Sequence, residues 1–243
     1  MSLNVFILGR PGSGKSRVAQ IIQELASEKG WSTEHIYDYR LLQELFKQEI
    51  DTNTPHSQRR FRSRGPKAAL GFDVINFEVL DEVLDTVVSH MMHGIGTREL
   101  TSPGEKKLQL IEFARNKYED ALRKFGDDLL QDTYLLYINA DMENCIERIL
   151  GRIEDGLEFS HFVSEEIMRS YYNKDDWLED QFKEYLKSLQ RRGIRIYSKE
   201  IENKDSMVHL FENIRIFVEM YLMRETEAIP ILSKLVPHSE SAK

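Results

Sequence analysis

The chain is poor in cysteine: Cys145 is the only one among 243 residues. An intrachain disulfide and a cysteine-based zinc site are thereby excluded, and the setting "ENCIERI" marks Cys145 as a core-facing helix position. Long hydrophobic runs are missing too. No stretch reaches the apolar length that crosses a bilayer, and "MSLNVFILGRPG" leads straight into a strand without the basic region, apolar region and small-residue cleavage site of a secretory signal. The expectation is a cytoplasmic protein with no membrane partner. Positive charge is also in deficit. Lys+Arg 33 against Asp+Glu 41 leaves a net charge of -8, which argues against wholesale electrostatic binding of nucleic acid while leaving local basic patches open. No internal repeat is present.

What the chain has is enough apolar sequence, 41%, for one large core. Leu3 to Leu8 is an almost continuous apolar run, the mark of a strand covered on both faces. Val18, Ala19, Ile21, Ile22, Leu25 and Ala26 then recur at helical spacing, with Gly30 as the stop. A short strand is expected at His35 to Tyr37 and a helix from about Leu41 to Gln48. Residues 52–71, rich in arginine and turn formers, read as a long basic loop. From Phe72 the periodicity returns as a helix ending near Gly94, followed by a strand at Lys107 to Phe113 and a helix from Asn116 to Phe125.

"TYLLYINAD" is a fourth strand, and Asp141 caps a helix that runs into a loop at 152–164. Ser164 caps a further helix, a last strand is expected around Ile194 to Tyr197, and a helix from about Met207 to Met223 closes the alternation, leaving a tail at 225–243. The alternation implies a three-layer α/β domain over 1–224, with a five-stranded parallel sheet flanked by helices and ligands held at the carboxyl ends of the strands.

"GRPGSGKS", Gly9 to Ser16, fits G-x-x-x-x-G-K-[ST] between the first strand and the first helix, which is the arrangement of a phosphate-binding loop in a P-loop NTPase fold. Gly9, Gly12 and Gly14 allow backbone angles that turn successive N–H groups, those of Ser13 and Arg17 among them, toward phosphate oxygens. Lys15 places a point charge on the β/γ-phosphates, Ser16 offers a hydroxyl to Mg²⁺, and the helix directs its positive end at the same anion. ATP and Mg²⁺ are the cofactors this implies.

Other strand ends add acids and arginines. Glu112 ends "KLQLIEF", where a carboxylate can hold the magnesium shell or take the proton of an attacking hydroxyl; Arg115 follows it. Asp38, closing the second strand with Arg40 nearby, serves equally as base, as acceptor ligand or as a helix cap. Which of Glu112 and Asp38 is the base stays open. Arg148 and Arg152 are four apart on one helix face before the lid-like loop, where guanidinium groups suit the charge of a transferring phosphoryl group, and Arg169 approaches from the loop's far side. Arg59, Arg60, Arg62, Arg64 and Lys67 form a basic cluster that suits an anionic acceptor, a nucleic-acid strand beside Phe61, or plain solvation. His90 and His93 have metal-like spacing but no third ligand, which leaves them as helix surface.

"GRPGSGKS", "LIEFAR", "CIERILGR" with its following loop, and "EIENKDS" after the last strand together resemble the P-loop kinases of the nucleoside and nucleotide kinase type, over most of residues 1–222. "HFVSEEIMRSYY" is similar to a stretch in a group of ATP-binding kinases of unassigned substrate. The resemblance implies a lid between "CIERILGR" and the next helix. It also implies that Asn203 and Ser206 border the adenine. The Asp-Arg-Tyr signature of thymidylate kinases is lacking, and "EFAR" only approximates the Glu-Arg-Ser of deoxynucleoside kinases, so the family names no acceptor. Three functions follow as expectations: a kinase of a small acceptor, with Asp38, Arg40, Arg59, Arg115 and Arg169 on the acceptor side; a polynucleotide end kinase; or a nucleotide-dependent switch without transfer chemistry.

Overall fold

The computed structural model describes residues 2–64, 71–96, 106–154, 162–204 and 207–222. Its centre is β1 (Ser2–Leu8), whose apolar run divides by parity. Leu3, Val5 and Ile7 point to one face of the sheet, and Phe6 and Leu8 point to the other. On the first face lie α1 (Lys15–Glu28) and α9 (Met207–Phe217), contributing Val18, Ala19, Ile22, Leu210, Ile214 and Phe217. The opposite face is covered by α3 (Glu78–Gly96), α4 (Tyr118–Arg123), α5 (Gly126–Leu130) and α8 (Asp180–Arg191). A strand buried on both faces has no polar side, which is why β1 reads as unbroken hydrophobic sequence.

Five parallel strands stand in the order β2 (Ser32–Tyr37), β5 (Lys107–Phe113), β1, β6 (Thr133–Asn139), β7 (Ile196–Glu202). The expected α/β architecture is therefore present. Beyond it stands a two-stranded antiparallel hairpin, β3 (Phe61–Ser63) and β4 (Phe72–Val74), where the sequence reads as loop and the start of a helix. Phe61 and Phe72 give the reason: both are buried with Tyr39 and Phe46 of α2 (Asp38–Asp51) and Val79, Leu80 and Val83 of α3, so tertiary packing overrides a polar composition.

The α1 stop is as expected. Gly30 takes a left-handed φ of 76°, and the Trp31 N–H reaches back to the Ala26 carbonyl, closing the helix end. Other boundaries move. α3 begins at Glu78 rather than Phe72, β7 runs on to Glu202, and α8 is a helix the sequence reading omits. α6 (Met142–Glu154) and α7 (Glu165–Ser170) flank the expected lid-like loop, of which 155–161 lie outside the described residues, as do Lys67, Ser206 and the tail. Ser164 caps α7, its Oγ accepting from the Ile167 N–H. After α9 a single π-helical turn, Val218–Leu222, ends the described chain. No helix among the described residues is long and apolar enough to cross a membrane.

Candidate active site

The loop between β1 and α1 lies at the carboxyl edge of the sheet, and its backbone is built for glycine. Gly9, Gly12 and Gly14 have φ of 140°, 79° and 100°. A Cβ on Gly12 would stand 2.4 Å from the Cys145 carbonyl oxygen, and one on Gly9 2.6 Å from that of Ile138. Neighbours brace the loop from outside. The Gly9 N–H donates to the Tyr118 hydroxyl, the Asn203 amide donates to the Ser13 carbonyl at 2.7 Å, and Arg10 donates to the carbonyl of Tyr172. Arg10 also pairs with Asp175 at 3.5 Å. Cys145 in α6 is buried under the loop, and burial pushes its thiol pKa up.

Lys15 is 4% exposed, and its Nζ donates to the Arg10 carbonyl at 2.9 Å. Burial pulls the pKa of its ammonium down, against the opposing pull of Glu112 and Asp38. Parity explains why Glu112 is there. Leu108, Leu110 and Glu112 share the sheet face that α1 covers, so the residue that would continue the core instead ends beneath the first turn of α1. Its Oε1 accepts from Ser16 Oγ at 2.8 Å, and its Oε2 lies 3.1 Å from His35 Nε2. Tyr37, next to Glu112 in the strand register, hydrogen-bonds Ser16.

Asp38 opens α2 one residue beyond β2. It is buried, and its Oδ2 accepts from Arg115 Nη1 at 2.7 Å. Arg115 is buried too and donates to the carbonyls of Ala114 and Leu80, while its Nε has no hydrogen-bond partner. Burial raises the Asp38 pKa despite the adjacent guanidinium. Lys15, Ser16, Glu112, Asp38 and Arg115 thus form one connected cluster from the ends of β1, β2 and β5. His35 and Tyr37 belong to it and were missed by sequence reasoning. No local signal marks them, because their place depends on the register of β2 against β5.

The arginines divide. Half-buried Arg148 donates to the carbonyls of Gly12 and Asn203, behind the loop. Arg152, one turn on, is close enough for its charge to lower the Lys15 pKa. Arg17 is exposed and bonds Gln20 in its own helix; Arg40 is exposed and pairs with Glu44; Arg59 donates to the Thr54 carbonyl. Arg169 is held by Glu143 and Glu165 at the surface. Three members of the basic cluster are neutralised: Arg60 pairs with Glu49 and Glu82, and Arg62 and Arg64 share the buried Asp73 and the exposed Glu166. His90 is exposed and contacts Glu34, and His93 contacts the Ser89 carbonyl of its own helix.

A glycine loop closing on a lysine and a serine after the central strand, with an acid ending the adjacent strand, decides the architecture. The fold is that of a P-loop NTPase. No protein-family model matches the sequence, and no curated protein does. Among solved structures, a sugar kinase from Janibacter sp. HTCC2649 is similar at 15% identity over 92% of this chain and 95% of that one, TM-score 0.47. Shikimate kinase from Acinetobacter baumannii is similar at 14% identity over 93% and 96%, TM-score 0.44. The APS kinase of Mycobacterium tuberculosis, solved with AMPPNP and APS, is similar at 16% identity over 90% and 96%, TM-score 0.45.

Proposed function

We propose that the chain is an ATP- and Mg²⁺-dependent phosphotransferase that moves the γ-phosphoryl group to a hydroxyl of a small acceptor, a nucleoside, nucleotide or sugar derivative. The observation that carries this reading is the Ser16–Glu112 hydrogen bond at the mouth of the glycine loop, with buried Lys15 and Asp38 in the same electrostatic field.

The donor set fits a hard cation that comes with the nucleotide. Ser16 and Glu112 offer oxygens alone, and among the described residues no three His, Cys, Asp or Glu side chains converge into a closed metal cage. That is the partial shell Mg²⁺ accepts when phosphate oxygens and water complete it. When bound, the ion supplies neutralising charge to the β/γ-phosphates.

The chain's own groups then divide the work. Loop amides and Lys15 hold the phosphates, and the desolvated ammonium acts in a medium where its field is poorly screened. Asp38, its pKa raised by burial and its carboxylate oriented by Arg115, takes the acceptor's proton as the acceptor oxygen bonds to the γ-phosphorus and the bond to the β,γ-bridging oxygen breaks. With Glu112 committed to Ser16, Asp38 is the better base. Arg152, within electrostatic reach of Lys15, meets the charge of the transferring group; Arg148 braces the glycine loop through the carbonyls of Gly12 and Asn203, and Asn203 borders the adenine as the resemblance implies.

The polynucleotide end kinase reading has less support, since carboxylates already answer Arg60, Arg62 and Arg64. An acceptor screen read by ADP release tests the proposal. Lys15→Ala should cut turnover by about 10²-fold or more; unchanged turnover overturns the assignment. Tight ATP binding without any acceptor-dependent ADP release favours the switch.

A further inference from the structure

We infer that His35 and Tyr37 are positioning residues, which hold Glu112 and Ser16 in the orientation that receives the cation; the inference rests on the phosphotransferase reading. β2 is the edge strand of the sheet, and its register against β5 pairs His35 with Leu110 and Tyr37 with Glu112. Partners in a parallel register project to the same face, so both aromatic side chains lie on the α1 side, where Glu112 and Ser16 meet. Their rings stack on each other, with centroids 5.8 Å apart and planes inclined by 19°. One stacked pair thus reaches both members of the Ser16–Glu112 hydrogen bond.

The geometry fixes the carboxylate from two sides. Ser16 holds Oε1 at 2.8 Å and His35 holds Oε2 at 3.1 Å, while Tyr37 bonds the hydroxyl of Ser16. A carboxylate only accepts, so His35 Nε2 carries the proton of this hydrogen bond. A glutamate has three torsions, and the attraction of the Lys15 ammonium acts on this one. Without the His35 anchor, Glu112 is free to turn onto Lys15, which removes a cation ligand and neutralises a phosphate ligand at once. His35 and Tyr37 prevent that collapse. Neither touches phosphate or acceptor in this assignment, so they act through Glu112 and Ser16.

Titration calorimetry with a non-hydrolysable ATP analogue tests this, run without metal and then with Mg²⁺, alongside Mn²⁺ binding followed by electron paramagnetic resonance. Groups that orient a metal ligand change metal affinity by about 10–100-fold. His35→Leu should bind the metal-free analogue more weakly than the parent, because Glu112 then partly neutralises Lys15, and should in addition lose about tenfold of the gain that Mg²⁺ brings. His35→Gln, which restores a donor near the Nε2 position, should recover most of it. Tyr37→Phe keeps the ring stack, loses the bond to Ser16, and should show a smaller loss in the same direction; it carries the test if His35→Leu fails to fold.

An unchanged Mg²⁺ gain in the folded His35→Leu protein overturns the inference and leaves the phosphotransferase reading standing, and so does a His35→Gln no better than His35→Leu. A parent protein with no Mg²⁺-dependent nucleotide binding sinks both.

Discussion

Arg115 and Asp38 form a buried ion pair, with side chains 4% and 6% exposed and a single 2.7 Å contact between charged groups. Replacing Arg115 by Met keeps much of the volume and strands the carboxylate. Breaking a buried pair from one side costs about 3–5 kcal/mol, and at about 2–4 °C per kcal/mol for a domain of this size the melting temperature should fall by about 10 °C. The carbonyls of Leu80 and Ala114 also lose their donor, so the cost has two sources. The double variant Asp38→Asn/Arg115→Met separates them, because it shares the orphaned carbonyls and lacks the stranded charge.

The charge contribution should depend on pH with a definite sign. Burial already raises the Asp38 pKa, so its contribution to stability is fully present below the unfolded-state value and is lost as pH rises through the folded-state value. Removing Arg115 removes an opposing pull and carries the folded-state value higher. Urea denaturation should therefore find the single variant less stable than the double by about 2 kcal/mol at pH 7, with the gap closing toward pH 5 at up to about 1.4 kcal/mol per pH unit. A gap of equal size at both pH values, or none at pH 7, would refute the stranded-carboxylate argument.

Lys15→Met should leave the melting temperature of the nucleotide-free protein within a few degrees of the parent, since burial disfavours the ammonium it removes, while abolishing the shift that ATP produces; differential scanning fluorimetry reads both. Gly12→Ala should cost more than Gly30→Ala: both positions have positive φ, worth about 1–3 kcal/mol, but only at Gly12 does the new methyl meet a backbone carbonyl, and thermal melts should rank them so. Asp73→Asn should destabilise by about 2–4 kcal/mol, with little relief from salt because Asp73 is fully buried between Arg62, Arg64 and the Ser164 N–H, as urea titrations at low and high ionic strength would show. Oligonucleotide binding, measured by fluorescence anisotropy, should be weak and insensitive to neutralising Arg60 and Arg62, because their charge is already matched.

What could be read in the sequence was whatever lies close together along it. Gly9 to Ser16 carries its chemistry in consecutive residues, so the loop, its strand and its helix are legible together. Glu112 is legible as an acid ending an apolar run. His35 and Tyr37 are not, because their role depends on β2 lying beside β5, a neighbour 70 residues and more away in the chain. Arg60, Arg62 and Arg64 look like a basic patch until Glu49 and Glu82 are folded against the first and Asp73 and Glu166 against the other two. The hairpin of β3 and β4 has three residues in each strand, too few to show a period, and its two phenylalanines gain meaning only against α2 and α3. α8 is a different case: Phe182, Tyr185 and Leu189 carry a plain helical spacing that the reading passed over.

Cys145 turns the packing beneath the loop into something that can be timed. Its sulfur is sealed in, the thiol donating to the Ala140 carbonyl at 3.8 Å, and its own carbonyl abuts Gly12. With no second thiol in the chain, alkylation by a small reagent counts openings of this one contact, residue by residue unambiguous and without an added label. A ligand seated above the glycines would slow that clock, and the extent of slowing would measure how firmly the floor is pinned.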